Sequence, residues 1–251
     1  QRQMCIRDSS IKYAGRNDYM RFLLFDADYT LLDFPEDMVR SFKIMYGSCF
    51  AAQRPYSEEL LRHYEACNNR AWDRFERGEC TKQELYISRF IEFLSKTGLS
   101  GDPEAINEKY FTAMAETGTA YPGAVELVKE LSLTYDLYII TNGNVVSAIP
   151  RIRNSGLAPY FKEVFVSEAV GVGKPDKRYF DHVAASIPNF SRSEAVVIGD
   201  SPSSDLQGAV NAGLRSIWYD PPGAWTNERK APQYTWRAES YDELREILRN
   251  V

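Results

Sequence analysis

The chain has 251 residues, of which 44% are hydrophobic and 26% charged, a composition typical of a soluble globular protein with one large domain or two modest ones. A net charge of −5 gives no global attraction to nucleic acid or to an anionic membrane. The four cysteines form no CxxC pair and only two histidines are present, which disfavours a disulfide framework, a zinc site and a histidine base. We therefore expect chemistry by carboxylates, hydroxyls and amines in a reducing, cytoplasmic compartment, without a membrane span.

Residues 1–19 differ in character from the rest of the chain. They are polar, lack periodicity and contain no apolar segment of the kind that signal peptides carry. The segment 3–9 resembles a translated cloning adaptor. We expect the native protein to begin at Met20 and treat 1–19 as a non-native or disordered extension.

The first predicted strand ends in two acidic residues. Four apolar residues, 22–25, run directly into Asp26 and Asp28, a pattern typical of a strand buried on both faces. Open parallel sheets bind ligands at the carboxyl ends of their strands, so these carboxylates lie where a site is expected. Two acids this close repel each other unless a cation or a proton lies between them.

Residues 36–115 follow a helical pattern with no strand signal. The predicted helix starts are marked by residues that commonly cap helices. These are Ser57, Thr81 with Glu84 three positions later, and Asp102 before a proline. About four helices inserted after a single strand predict a separate helical cap at residues 34–116.

Strands and helices alternate from Tyr121 onwards. We predict helices at 122–131, 145–155, 177–186 and 205–212, a last helix opened by a capping box at Ser240, and strands at 137–140, 164–166, 195–198 and 215–219. Such alternation predicts a parallel sheet with helices on both faces. The expected fold is therefore a doubly wound, Rossmann-like α/β core, 20–33 plus 117–251, with an inserted all-α cap.

Three of the predicted strands end in polar groups that can share one pocket. These groups are Asp26 with Asp28, Thr141 with Asn142, and Asp200 with Asp205. Between the second and third groups, Lys174 lies in a glycine-rich turn. Each signal is weak by itself, since a lone lysine is usually a solvated surface charge, but the order of all four indicates a site.

The sequence resembles the haloacid dehalogenase superfamily, on its phosphatase side. The four motifs of that superfamily occur in order, as Asp-Ala-Asp-Tyr-Thr at 26–30, Thr-Asn-Gly at 141–143, Lys-Pro at 174–175 and Gly-Asp-Ser-Pro-Ser-Ser-Asp at 199–205. Tyr29 stands where glycine is common in the family. The strings Tyr-Pro-Gly-Ala at 121–124 and Gly-Lys-Pro-Asp at 173–176 resemble the bacterial pyrimidine 5′-nucleotidase branch.

The resemblance implies a role for each motif residue. Asp26 is the nucleophile that forms an aspartyl-phosphate. Asp28 is the general acid that protonates the leaving oxygen and then the base that activates water. The Thr141 hydroxyl and the Asn142 backbone N–H hold the phosphoryl oxygens, and Lys174 offsets negative charge.

The resemblance also implies a magnesium site. Asp26, the Asp28 carbonyl and Asp200 are the expected ligands, and Asp205 supports the site from outside the ligand set. Charge arithmetic agrees independently, because four carboxylates and Lys174 leave −3 before a phosphate arrives. A divalent cation and a proton on Asp28 reduce that charge to zero, and all-oxygen ligands favour Mg²⁺ over zinc.

The expected function is Mg²⁺-dependent hydrolysis of a small phosphomonoester, most directly a pyrimidine nucleoside 5′-monophosphate. A sugar-phosphate or phosphoglycolate phosphatase stays open as an alternative. Haloacid dehalogenation is disfavoured, because dehalogenases of this superfamily lack the acid that Asp28 supplies. A third possibility is a catalytically silent scaffold that binds phosphorylated ligands or a protein partner. The presence of all four motifs argues against it.

Substrate choice is expected to lie in the cap and in the loop after the first strand, since the four motifs handle only the phosphoryl group. The predicted cap is rich in aromatic residues, of which one or two can stack on a base while most form its core. Those residues are Tyr46, Phe50, Tyr64, Trp72, Phe75, Tyr86, Phe90 and Phe93. The expected partner is a small molecule rather than a nucleic-acid polymer or a membrane, and both a monomer and a dimer stay open.

Overall fold

The computed structural model describes residues 20–222 and 231–251, so the predicted extension at 1–19 lies outside the described part. The described strands are β1 (Phe22–Phe25), β2 (Asp136–Thr141), β3 (Glu163–Val166), β4 (Ala195–Gly199), β5 (Arg215–Tyr219) and β6 (Trp236–Ala238). They form one sheet in the order β3-β2-β1-β4-β5-β6, and every neighbouring pair is parallel. Because β1 lies between β2 and β4, the carboxyl ends of these three strands adjoin.

Helices cover both faces of the sheet and form one large insertion. They are α1 (Phe34–Cys49), α2 (Glu58–Glu76), α3 (Lys82–Thr97), α4 (Pro103–Ala115), α5 (Ala124–Leu131), α6 (Val145–Asn154), α7 (Ser167–Val170), α8 (Lys177–Ser186), α9 (Gln207–Ala212) and α10 (Tyr241–Arg249). We call α1–α4 the helical insert. None of these helices is both long and apolar enough to cross a membrane. The predicted doubly wound α/β fold is confirmed.

The side chains of β1 alternate between two helical layers, which explains its four consecutive apolar residues. Leu23 and Phe25 pack into one cluster with α5, α6 and α10. Phe22 and Leu24 pack into the opposite cluster with α8 and α9. A strand buried on both faces has no solvent side, so its pattern is a continuous apolar run.

The helical insert has a hydrophobic cluster of its own, built from residues between 38 and 114. Phe42, Tyr64 and Phe93 are fully buried at its centre. The Phe42 ring stacks on Tyr64 with centroids 4.7 Å apart and meets Phe93 edge-on at 5.6 Å. The division into core and cap stays a prediction, which this separate cluster supports.

The predicted N-terminal caps of α2, α3 and α4 are present, whereas the capping box predicted for α10 is only partly formed. Thr81 and Glu84 form a complete capping box. At α10, the Ser240 hydroxyl accepts from Glu243 N at 3.2 Å, but the Glu243 carboxylate accepts from Glu239 N instead of Ser240 N. Ser240 therefore caps α10, but the second hydrogen bond of the predicted capping box is absent.

Two helix starts also differ from the prediction. The helix predicted from residue 122 begins at Ala124, because Gly123 takes a left-handed conformation with φ 84°. The helix predicted at 205–212 is a wider turn at Pro202–Leu206 followed by α9. The short elements β6 and α7 were not predicted, because neither Trp-Arg-Ala nor Ser-Glu-Ala-Val is a continuous apolar run like the one at 164–166.

We expect Phe93→Ala to lower the free energy of unfolding by about 3–5 kcal/mol, since it leaves a cavity among packed rings. Ile91→Ala is the matched control on the same helix, where the side chain is 55% exposed and the expected change is within about 0.5 kcal/mol. Urea denaturation followed by circular dichroism measures both. Equal losses in the two variants would contradict a packed core at Phe93.

Candidate active site

The polar ends of β1, β2 and β4 meet in one cavity of about 520 Å³. The fold brings together all seven residues that the sequence predicted for the site. The lining includes Asp26, Asp28, Thr141, Asn142, Lys174, Asp200 and Asp205. The helical insert supplies the remaining wall, mainly from α2.

Lys174 is the buried cation at the centre of this edge. Its ammonium donates to Asp26 Oδ1 at 2.5 Å, to Asp205 Oδ1 at 2.7 Å and to the Ile140 carbonyl at 2.9 Å. Burial opposes the charged form, but the carboxylates of Asp205 and Asp26 outweigh it and raise the pKa of Lys174. The lysine therefore keeps its charge inside the protein and is not the solvated surface residue that such a lysine usually is.

Asp26 lies in a surplus of negative charge. Burial, together with the carboxylates of Asp205 and Asp200, raises the pKa of Asp26 well above its usual range, although Lys174 acts in the opposite direction. Thr30 Oγ1 lies 3.5 Å from Asp26 Oδ2 and 3.4 Å from Asp200 Oδ1. This hydroxyl bridges two of the acids, a role that sequence reasoning did not assign although Thr30 belongs to the first motif.

The acidic cluster fits a hard divalent cation. One carboxylate oxygen each from Asp26, Asp200 and Asp205 lies within 4.8 Å of the others, and oxygen donors suit Mg²⁺. Both oxygens of Asp205 already have partners, since Oδ1 accepts from Lys174 and Oδ2 from Ser201 N at 3.0 Å. A Cβ at Gly199 would collide with Asp205, so glycine is needed for this carboxylate to approach the strand end.

The loop after β2 is braced against the loop that carries Lys174. Asn142 Oδ1 accepts from Lys174 N at 2.9 Å, and Asn142 Nδ2 donates to the Lys174 carbonyl at 2.8 Å. Thr141 Oγ1 accepts from Gly143 N at 2.9 Å, which leaves its own proton for a ligand. A Cβ at Gly173 would collide with Asn142 Oδ1, so the glycine next to Lys174 permits this brace.

Asp28 has a different partner from Asp26. Its Oδ1 lies 2.7 Å from Arg151 Nη1, while its side chain keeps 26% exposure at the cavity. Sequence reasoning missed Arg151 entirely. The available signal was its helical spacing, because it shares the buried face of α6 with Ala148 and Ile152.

The helical insert contributes both a wall and a tether. Trp72 lines the cavity with its neighbours on α2, and the Ser203 hydroxyl donates to Glu76 Oε2 at 2.6 Å across the opening. Lys82 donates to the Gly143 carbonyl at 2.5 Å and to the Ser167 hydroxyl at 2.8 Å. Burial lowers the pKa of Lys82 to about 8, with Glu168 opposing and Lys174 assisting. Nothing in the sequence distinguished Lys82 from an ordinary polar residue in the first turn of a helix.

The fold and the site thus define an α/β protein with a carboxylate centre at the edge of a doubly wound parallel sheet, covered by inserted helices. The family model for haloacid dehalogenase-like hydrolases matches residues 20–213, and the chain belongs to that family. It is therefore an enzyme of the hydrolase class, as the sequence predicted.

Two curated relatives are pyrimidine 5′-nucleotidases. PynA of Streptococcus pneumoniae is 34% identical over 233 residues, which are 92% of this chain and 95% of that protein. YjjG of Escherichia coli is 34% identical over 229 residues, 90% of this chain and 97% of that protein. The magnesium-bound structure of the HAD-hydrolase YfnB from Bacillus subtilis is similar with a TM-score of 0.84 and 34% identity, over 92% of this chain and 99% of that one. These relatives confirm the predicted resemblance to the nucleotidase branch.

We expect Asp26→Asn to raise the free energy of unfolding of the metal-free protein at pH 7, because burial and the neighbouring carboxylates disfavour the charged form of Asp26. The variant removes a buried charge that Asp200 and Asp205 repel, and Lys174 keeps Asp205 as a partner. Urea denaturation in the presence of a chelator measures the change, with exposed Glu108→Gln as the control for net charge. A destabilised Asp26→Asn variant would show that the Lys174 pair outweighs the repulsion.

Proposed function

We propose that this protein is a Mg²⁺-dependent phosphomonoesterase that hydrolyses pyrimidine nucleoside 5′-monophosphates through an aspartyl-phosphate on Asp26. The observation that carries the proposal is the contrast between two carboxylates two positions apart. Asp26 is buried against Lys174, whereas Asp28 keeps part of its surface open to the same cavity. One carboxylate is thus suited to attack and the other to proton transfer.

The reaction follows from these positions. Asp26 attacks phosphorus in line with the leaving oxygen, and Asp28 gives that oxygen a proton. Asp28 then takes a proton from the water that hydrolyses the aspartyl-phosphate. The Thr141 hydroxyl and the Asn142 backbone N–H hold the phosphoryl oxygens, and Lys174 offsets charge on the nucleophile and the phosphate.

The same residues fit the magnesium ion that the acidic cluster favours. Asp26, Asp200 and the Asp28 carbonyl are the proposed ligands, and Asp205 stays outside the ligand set because Lys174 and Ser201 N occupy its oxygens. When bound, the cation supplies positive charge for the phosphoryl oxygens. Asp205 instead contacts Lys174, and the support of the metal site that the resemblance implied for Asp205 stays a prediction.

The charge balance of the site supports the need for this cation. Arg151 is a second positive group that the sequence did not predict, but its other partner is the buried Asp37. The four predicted carboxylates, Asp37, Lys174 and Arg151 together still carry −3. A phosphate monoester adds about −2 near neutral pH, so a divalent cation is required before substrate can bind well.

Aromatic rings in the cavity wall favour a flat leaving group. Tyr29, Phe34 and Trp72 line the cavity, and the Tyr29 and Phe34 rings are 5.4 Å apart. Tyr29 adopts φ 64°, a left-handed conformation that costs a non-glycine residue about 1–2 kcal/mol. A strained tyrosine in place of glycine, with its ring at the cavity, supports a role in substrate contact.

Polar groups beside these rings can read the edge of a base. Asn68 lines the cavity, and its Oδ1 accepts from the buried Arg89 at 2.9 Å, which holds the amide in one orientation. Asn69 and Asp73 lie on the same wall. Together with the two nucleotidase relatives, this wall supports nucleotides over the sugar-phosphate alternative, while a cytoplasmic location and the oligomeric state stay predictions.

Removal of divalent cations by EDTA should abolish phosphate release, and Mg²⁺ or Mn²⁺ should restore it. The reason is the uncompensated charge around Asp26 and Asp200. Phosphate release from p-nitrophenyl phosphate measures the effect, and an equal concentration of NaCl is the control for ionic strength. Full turnover in metal-free buffer would refute the proposed metal dependence, and no turnover under any condition would favour the silent scaffold.

We expect higher kcat/KM for UMP, dUMP and dTMP than for phosphoglycolate or hexose phosphates. The aromatic wall can stack on a base, a contact worth about 1–3 kcal/mol, whereas it offers little to a sugar. A phosphate-release screen in Mg²⁺ measures the ranking. If a sugar phosphate or phosphoglycolate exceeded every nucleotide tenfold, only the phosphatase assignment would survive.

Trp72→Leu tests whether the aromatic wall causes the preference for nucleotides. It should lower kcat/KM for UMP by about tenfold, as expected for the loss of one stacked ring, and leave β-glycerophosphate nearly unchanged. Phe75→Leu is the matched variant on α2, since its half-buried ring contacts Trp72 but does not line the cavity.

A further inference from the structure

Arg151 is a buried arginine that none of the four family motifs contains. It lies on the inner face of α6, and its side chain is 4% exposed. The Phe34 ring lies beside the guanidinium, with its centroid 5.6 Å from Cζ. An arginine in such a place needs anionic partners, because an unpaired buried charge is costly.

The partners of Arg151 are the acid–base residue and a buried acid of the helical insert. Nη1 lies 2.7 Å from Asp28 Oδ1, while Nε donates to Asp37 Oδ2 at 2.9 Å and Nη2 lies 2.9 Å from the same oxygen. The guanidinium therefore donates one hydrogen bond to Asp37 and forms close ion pairs with both carboxylates. Lysine cannot reproduce this geometry from a single ammonium.

Asp37 is itself fixed at the two connections between insert and core. It is fully buried near the start of α1. Its Oδ1 accepts from the backbone N–H groups of Gly118 and Thr119, at 3.2 and 3.0 Å, on the returning connection. A Cβ at Gly118 would collide with the Arg151 carbonyl, so this connection packs directly on α6. The guanidinium is thus anchored at the junction of the two parts.

We propose that Arg151 is a positioning residue for Asp28, an inference that rests on the proposed phosphatase function. By holding Oδ1, it fixes the Asp28 carboxyl group with its remaining surface towards the leaving oxygen. Arginine stays protonated in proteins and cannot itself be the proton donor.

The leaving group of the substrate distinguishes this role from a purely structural one. An aryl phosphate such as p-nitrophenyl phosphate releases a stable phenolate and needs little protonation, whereas a nucleotide releases a sugar alkoxide that needs an acid. Formation of the aspartyl-phosphate governs kcat/KM in both cases. Loss of a positioned acid therefore affects the nucleotide selectively, while general damage to the site affects both esters.

The experiment compares Arg151→Lys with the parent on UMP and p-nitrophenyl phosphate in Mg²⁺. We expect kcat/KM to fall at least tenfold for UMP and less than threefold for p-nitrophenyl phosphate. Asp28→Asn should show the same selectivity more strongly, because it removes the acid itself. Arg153→Lys is the matched control, since Arg153 lies two positions along α6 and is exposed.

The ratio of the two kcat/KM values is measured on one preparation, so any unfolded fraction cancels. Asp37→Asn is the second variant if Arg151→Lys fails to fold, and it should show the same selectivity to a smaller extent. Equal losses on both esters, or no loss on UMP, would overturn the positioning role while leaving the phosphatase proposal intact. A parent protein inactive on both esters would instead refute the proposed function, and the inference with it.

Discussion

The ammonium of Lys174 is shared between Asp26, Asp205 and the Ile140 carbonyl, all in the protein interior. This contact joins the ends of β1 and β2 to the turn after β4. Removing Lys174 would leave buried carboxylates uncompensated, which costs several kcal/mol in proteins. The nearby glycines and the hydrogen bonds of Asn142 support this contact, because they allow the backbone segments to approach closely enough for one ammonium group to reach three acceptors.

Two carboxylates that leave the same strand end thus acquire different surroundings. Asp26 is buried with Lys174 among other acids, and Asp28 contacts Arg151 with part of its surface at the cavity. Differing environments are how enzymes assign different tasks to identical groups. The two cations come from different segments of the chain, since Arg151 lies on α6, between β2 and β3, and Lys174 lies in the turn between α7 and α8.

The helical insert contributes to the site without carrying any of the predicted motif residues. Its own aromatic core gives α2 a stable position, and α2 then presents Trp72 and asparagine side chains to the cavity. Lys82 and Glu76 contact the core on separate loops, while Asp37 joins the insert to Arg151. The insert therefore contacts the site in two ways, as a wall of the cavity and as an anchor for the guanidinium beside Asp28.

Local patterns in the sequence determined the first strand, most of the helix starts and the residues of the motif set. A buried strand, a capping box or an Asp-x-Asp turn depends on neighbours within a few positions, so each can be recognised alone. The short strand β6 and the incomplete cap at Ser240 depend on packing and were missed. The pairing of Lys174 with Asp26 joins residues 148 positions apart, and only family resemblance suggested it. Tertiary structure decided the contacts of Arg151 and Lys82, and it decided that Trp72, among eight aromatic residues, lines the cavity. A helical period places a residue on a buried face but does not show which distant group lies opposite.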